Sequence, residues 1–186
     1  MTVILDNGET LDALPNDAAT AAHVVRIEGN ADLRGYAHPL PALRRIDGWA
    51  ILRDYAHALP DGLSVGGSLY MRGCTGLTAL PDGLSVGDSL YMRGCTGLTA
   101  LPDGLSVGGS LDLRGCTGLD HYCVGRDARG YAFYGIPMRD GPHVVAGCRN
   151  FTAPQALAHW WAGGQSNRPD CLALAQKAIA LAEGRP

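Results

Sequence analysis

The sequence predicts an α/β repeat protein: a parallel-strand solenoid of about five coils, followed by a C-terminal β-hairpin plus two-helix cap. Three observations carry this expectation. A 21-residue unit recurs three times almost unchanged. Inside each unit, apolar and polar residues alternate with the period of a strand. After residue 121 the repeat stops and helix signals begin. The chain therefore divides into an N-terminal cap at 1–22, a solenoid at 23–121 and a C-terminal α+β module at 122–186.

The repeat comes first. Residues 59–79 read LPDGLSVGGSLYMRGCTGLTA. Residues 80–100 copy them with one change, Asp88 for Gly67. Residues 101–121 copy them with four: Asp112, Leu113, Asp120 and His121. Leu69 and Met71 point to one face of a strand, Tyr70 and Arg72 to the other. Cys74, Leu77 and Leu80 turn inward beyond it. Pro81 and Asp82-Gly83 make the return turn, and Leu84 and Val86 close the far side. A single such coil buries nothing, so the core exists only when neighbours stack.

Two degenerate copies precede these. Ala31-Asp32-Leu33-Arg34-Gly35-Tyr36 and Ala50-Ile51-Leu52-Arg53-Asp54-Tyr55 align with Leu69 to Cys74, with tyrosines at the Cys position and a spacing of 19 residues. The segments 23–29 and 45–48 supply their facing strands. The first 22 residues are expected to fold over the open end, which would otherwise expose core.

The spacing Leu69-x-Met71-x-x-Cys74-x-x-Leu77-x-x-Leu80-Pro81-x-x-Leu84 resembles the leucine-rich-repeat family, in its cysteine-containing and short bacterial forms. That resemblance implies parallel strands lining one face and a binding role for the face. Gly66-Gly67, ahead of the strand, departs from the family pattern and leaves the back of the coil undefined.

In the C-terminal module, residues 122–150 read as two or three strands with a turn at Arg139-Asp140-Gly141-Pro142. The proline there demands a longer loop than a tight hairpin. Thr152-x-x-Gln155 is a capping box with Pro154 in the first turn, and the helix it opens ends at Gly163-Gly164. A second helix starts near Asn167-Arg168-Pro169 and ends at Gly184, with Leu172, Ala175, Ile179 and Ala182 on its inward side. As a cap, this module would cover the last coil.

Function is read from the outward columns. Arg34, Arg53, Arg72, Arg93 and Arg114 fall in one, and Asp32, Ile51, Tyr70, Tyr91 and Asp112 in its neighbour. Stacked like charges repel, so compensation must come from Asp32, Asp54, Asp112 or a partner. Tyr and Arg are the residue types that dominate interface energetics. The expected site is a partner-binding strip of Arg34, Arg53, Tyr70, Arg72, Tyr91, Arg93, Asp112 and Arg114, meeting a protein with an acidic surface. The same column is equally what duplication of one solvated arginine would leave. No lysine accompanies the arginines and the net charge is −3, which argues against nucleic acid.

The remaining chemistry is sparse. Asp61, Asp82 and Asp103 stand between Pro and Gly, where turn chemistry explains them without calcium. Cys74, Cys95 and Cys116 recur at one repeat position as small buried hydrophobes. Cys123, Cys148 and Cys171 lack zinc spacing, so free thiols and no metal or cofactor are expected. No stretch is apolar enough for a membrane span, and the acidic N-terminus does not resemble a secretory signal; a cytoplasmic location is the default expectation. An enzyme would have to use Cys148 with His143 or His159, or a metal held by His121, Cys123, His143 and Cys148. These candidates rest on residue type alone, and a packed cysteine and hydrogen-bonded histidines explain them equally, so a non-enzymatic protein is expected. The segment GCRNFTAPQALAHWW is similar to tails of uncharacterised bacterial and bacteriophage repeat proteins. That similarity implies a phage-encoded inhibitor of a bacterial defence system, anti-CRISPR-like, as one form a host-protein binder could take.

Overall fold

A computed structural model describes residues 1–53, 55, 57–161 and 168–184, with the side chains of Asp120 and His121 outside the description. The chain forms two compact units, Met1–Gly118 and Leu119–Pro186. Among the described residues no helix is long and apolar enough to cross a membrane.

The first unit is a parallel-strand β-solenoid of about four turns. Each coil contributes two short rungs. One series contains β3 (Val24–Glu28), β5 (Arg45–Ile46), β7 (Ser64–Val65), β9 (Ser85–Val86) and β11 (Ser106–Val107). The other contains β4 (Ala31–Asp32), β6 (Ala50–Ile51), β8 (Leu69–Tyr70), β10 (Leu90–Tyr91) and β12 (Leu111–Asp112). Each series stacks in sequence order as a parallel sheet. The back of the coil, undefined by the repeat pattern, is thus a second strand. Among the described residues each sheet has five parallel rungs.

Backbone hydrogen bonds hold the stack. Leu69 N–H donates to the Ser89 carbonyl, Met71 to Tyr91 and Gly73 to Arg93, and the next coil repeats the set. The inward ladder of Ala31, Ala50, Leu69, Leu90 and Leu111 is fully buried. Met71 and Met92, and Val65 and Val86 from the facing sheet, are buried with it. Cys95 and Cys116 donate their thiols to the carbonyls of Met71 and Met92 in the coil before, both at 3.0 Å. Burial and the neighbouring Cys95 thiol hold the proton on Cys116. At the same position Tyr55 donates its hydroxyl to the His38 carbonyl, and burial pushes that phenol up to about 12. All six cysteines are free thiols.

The Gly-Gly corner has a steric reason. A Cβ on Gly66, Gly87 or Gly108 would lie 2.2–2.3 Å from a carbonyl oxygen of the coil below. Gly73, Gly94 and Gly115 are needed for a different reason: their φ values are +75° to +78°, and Gly73 and Gly94 have open space around them. Ser68 Oγ donates to Asp88 at 2.8 Å and Ser110 N–H donates to Ser89 Oγ at 3.1 Å, pinning the corner from coil to coil.

One inward assignment needs correction. Cys74 and Leu77 are only half-buried, whereas Cys95, Cys116, Leu98 and Leu119 are buried. A 21-residue coil here follows a 19-residue one, and the shorter coil cannot cover the longer. The step leaves a concavity of about 450 Å³ between Tyr55, His57 and Ala58 and the segment Gly73 to Ala79.

At the N-terminus, β1 (Thr2–Leu5) pairs antiparallel with β3, and β2 (Thr10–Leu11) pairs with β1. They extend the first sheet beyond the parallel stack. Helix α1 (Ala18–Ala21) starts at Asp17, whose carboxylate accepts from Thr20 N–H at 2.8 Å.

The second unit opens with a 3-10 turn, Thr117–Tyr122, that spans the boundary. Its antiparallel sheet has four strands, not two or three: β13 (Cys123–Arg126), β14 (Ala132–Met138), β15 (Gly141–Ala146) and β16 (Arg149–Thr152). The turn at Arg139-Asp140 is tight despite Pro142. Pro142 lies opposite Pro137, beyond the reach of β13 and β16, so neither strand needs an N–H there. Helix α2 (Ala153–Trp160) carries the capping box, Thr152 and Gln155 bonding reciprocally. Its expected end at Gly163-Gly164 lies outside the described residues, whereas the next helix starts where expected, with Arg168 at its N-cap and Pro169 as its first residue.

Helix α3 (Pro169–Ala182) buries Cys171, Ala175 and Ala178. The expected face of Leu172, Ala175, Ile179 and Ala182 is therefore rotated. The helix backbone comes so close to β14 that a Cβ on Gly135 would lie 2.0 Å from the Ala178 carbonyl. Only small residues fit such an approach, and the larger ones pack around its border. Phe133, Val144 and Trp160 complete this core.

Asp127 anchors the unit. Its fully buried side chain accepts from Arg129 and Tyr131 N–H at 2.9 and 3.0 Å, and pairs with the guanidiniums of Arg129 and Arg168 at 3.0 and 3.1 Å. Burial pushes its carboxyl up, but these hydrogen bonds and charges bring it below the usual carboxylate range. A carboxyl held low in the fold contributes stability above its unfolded value, and that contribution is lost as pH falls through the folded value.

Three outcomes follow for stability. Leu90→Ala lowers unfolding free energy by about 2–5 kcal/mol in urea titration, and Leu77→Ala costs clearly less. Gly94→Ala costs about 1 kcal/mol through its positive φ, and Gly87→Ala costs more, since backbone must move. Between pH 4 and pH 2, thermal melts followed by circular dichroism lose stability, and Asp127→Asn flattens that slope while lowering Tm at neutral pH.

Candidate functional site

The outward face of the second series of rungs brings the strip together. In register, Asp32, Ile51, Tyr70, Tyr91 and Asp112 stand one above another. Two residues further along each coil stand Arg34, Arg53, Arg72, Arg93 and Arg114. A concavity of about 440 Å³ is lined by all five arginines with Ile51, Tyr70, Tyr91 and Asp112. Every residue of the expected strip is on that lining. Ile51, which sequence reasoning placed in the column but not in the site, belongs there as well.

The arginines are not equivalent. Arg34 Nε and Nη2 lie 2.9 and 2.5 Å from the two carboxylate oxygens of Asp32. Arg114 makes the same fork on Asp112 at 2.7 and 2.5 Å. In both coils the carboxylate also accepts the arginine's own N–H at 3.2 Å. The hydrogen bonds from Arg34 hold Asp32 below the usual carboxylate range. Burial pushes Asp112 up, and Arg114, with a weaker contribution from Arg93, brings it below. Both end coils read Asp-Leu-Arg, a pattern in which the clamp was legible.

The middle of the strip differs. Arg53, Arg72 and Arg93 are exposed, and none has an ion-pair partner among the described residues. Of the expected sources of compensation, Asp32 and Asp112 act at the ends, and Asp54 lies outside the described residues. Tyr70 and Tyr91 stack at 5.0 Å between centroids, 14° from parallel. Tyr70 is exposed and Tyr91 half-buried, and both line the concavity with the arginines. Chemically, the centre is a surface of hydrogen-bond donors carrying positive charge, closed above and below by neutral Asp–Arg forks.

The other candidates do not assemble. Asp61 and Asp82 accept from the backbone N–H of Asp82 and Asp103 in the next coil, at 3.0 and 3.2 Å, so their carboxylates bind the stack itself. Cys148 is exposed in the turn between β15 and β16, not packed in a core as its apolar neighbours suggested. His143 is buried, with Nδ1 2.8 Å from Asn150 Oδ1 and Nε2 3.0 Å from Asp140. His159 stacks on Phe151 at 5.0 Å, and its Nε2 lies 3.4 Å from Arg149. No hydrogen bond joins Cys148 to either histidine among the described residues. Of the proposed metal set, the His121 side chain lies outside the description. Among the described residues no three His, Cys, Asp or Glu side chains are grouped as a metal would need.

No protein-family model, no curated protein and no solved structure matches the chain.

The site's own chemistry yields a check. Asp32→Asn releases Arg34 from its fork while leaving the core untouched. A paramagnetic or radiolabelled anion partitioning onto the strip then rises at low ionic strength and is suppressed by salt, because the added charge is exposed.

Proposed function

We propose that the chain is a non-enzymatic binding module that recognises an acidic surface of a partner protein through the Tyr/Arg strip. One observation carries the reading. In a chain of net charge −3, three arginines with no ion-pair partner among the described residues and two stacked tyrosines share one concavity. Arginine forks match carboxylates in geometry as well as charge, and tyrosines contribute contact area at low entropic cost. Asp–Arg forks at both ends give the patch a boundary, a feature that plain duplication of a solvated arginine does not require.

The leucine-rich-repeat affinity is proposed on the inward Leu-x-Met-x-x-Cys spacing. A second strand in place of a helix at the back of the coil sets this chain apart within that reading. Inhibition of a bacterial defence system is a narrower version of the same function, supported by the sequence of residues 147–161 alone.

Capture from bacterial lysate tests the reading. Tagged wild-type protein retains a defined partner at moderate salt, identified by mass spectrometry. Arg72→Glu/Arg93→Glu loses it while its circular dichroism stays unchanged, and Cys148→Ala keeps it. Equal capture by the charge-reversed protein moves the site off the strip. Loss of capture in Cys148→Ala turns attention to the C-terminal unit.

A further inference from the structure

The strip's dimensions say what kind of acidic segment fits. This inference rests on the reading of the strip as a binding face and adds the conformation and register of its ligand. Among the described residues the strip's arginines without an ion-pair partner are three, on consecutive rungs. Rungs of a parallel stack lie about 4.8 Å apart, so Arg53 to Arg93 spans about 10 Å along the solenoid axis. A ligand that uses all three must offer anions at that repeat.

An α-helix lying along the axis does so. Carboxylates at i, i+4 and i+7 occupy one face and rise about 6 Å and then 4.5 Å, a total near 10.5 Å. An extended strand places same-face side chains about 6.6–7 Å apart, so over this span it supplies one interval and not two. Single-stranded nucleic acid needs a free aromatic face for its bases. Tyr70 and Tyr91 cover each other's inner faces, and Ile51 and Asp112 stand in register on their outer sides. Neither phenol hydroxyl has a hydrogen-bond partner among the described residues, so both can add donors to a carboxylate. The length of the site is limited by charge: beyond Arg53 and Arg93, the next guanidiniums are already held by Asp32 and Asp112.

We propose that the strip binds a helical acidic segment of a partner protein, with carboxylates at i, i+4 and i+7 set against Arg53, Arg72 and Arg93, and that the two Asp–Arg forks delimit it to three charges. The forks thereby act as selectivity elements. They make a longer acidic run no better a ligand than a three-carboxylate face.

Fluorescence anisotropy with labelled alanine/glutamine-based helical peptides tests this, using the full chain at low and moderate salt. One peptide carries Glu at i, i+4 and i+7. A second, of the same composition, carries Glu at i, i+5 and i+10, spread around the helix. A third adds a fourth Glu at i+11, and a 15-residue oligo-dT is the nucleic-acid probe. The registered peptide is expected to bind about tenfold more tightly than the spread one and to lose about tenfold on Arg72→Gln/Arg93→Gln. The fourth Glu gains nothing with the wild type and several-fold, on the order of one added charge pair, with Asp32→Asn. Thermal melts establish that both variants fold, as their positions are exposed.

Equal binding of the registered and spread peptides overturns the helical register, and so does no binding of either. Tighter binding of oligo-dT than of any peptide overturns the acidic-segment assignment. The lysate experiment separates these failures from the broader reading: capture that disappears on charge reversal leaves the strip a protein-binding face even where the peptide register fails, whereas capture that survives it removes both.

Discussion

Everything in the first unit depends on the register of very short rungs. A rung of two residues cannot hold itself together, and its backbone groups find partners only on the coils above and below. Identical residues are therefore forced to stack. Inside, this is favourable: Leu69 on Leu90 on Leu111 excludes water along the whole axis. Outside, the same register piles arginine on arginine, which is unfavourable unless something neutralises the charge. The ends of the column are neutralised by aspartates two residues earlier in their own coils. Among the described residues the centre has no such carboxylate, and the candidate site is that part of the ladder.

Corners and steps tune this arrangement. The Gly66, Gly87 and Gly108 series lets the backbone of each coil pass the one below where a Cβ would strike a carbonyl. Asp88, the one change in the second copy, sits among Ser68 and Ser89 and accepts from both hydroxyls. It is a corner residue in a serine network and not part of the outward strip. Where coil length changes from 19 to 21, two residues of backbone outgrow the support beneath them, and Cys74 opens toward solvent although its equivalents are sealed. Near-identical sequence has here produced unlike environments, because burial in a stack belongs to the neighbour as much as to the residue.

The C-terminal unit is organised by a buried carboxylate. Asp127 satisfies two backbone N–H groups of its own turn and draws two arginines to it, one at the start of α3. The close approach of α3 to β14 then selects alanine and cysteine for the interface. Cys171 lies beneath Asp127 and His143 is held by Asn150, while Cys148 stands exposed in a turn.

By itself, the sequence determined the parallel solenoid, the inward ladder and the membership of the strip, since a strict period obliges equivalent residues to align and alternation tells inside from outside. The capping box of α2 was legible for a local reason: short-range geometry leaves those residue types few alternatives. Tertiary structure decided the rest. It made the back of the coil a strand, because the close pass at Gly66 is a contact between coils. It rotated the buried face of α3, because how near a helix lies to a sheet depends on both. And, among the described residues, it sorted five equal-looking arginines into two clamped by a carboxylate and three without one, because whether a charge is neutralised depends on where its neighbours' side chains reach, a distance that no spacing along the chain records.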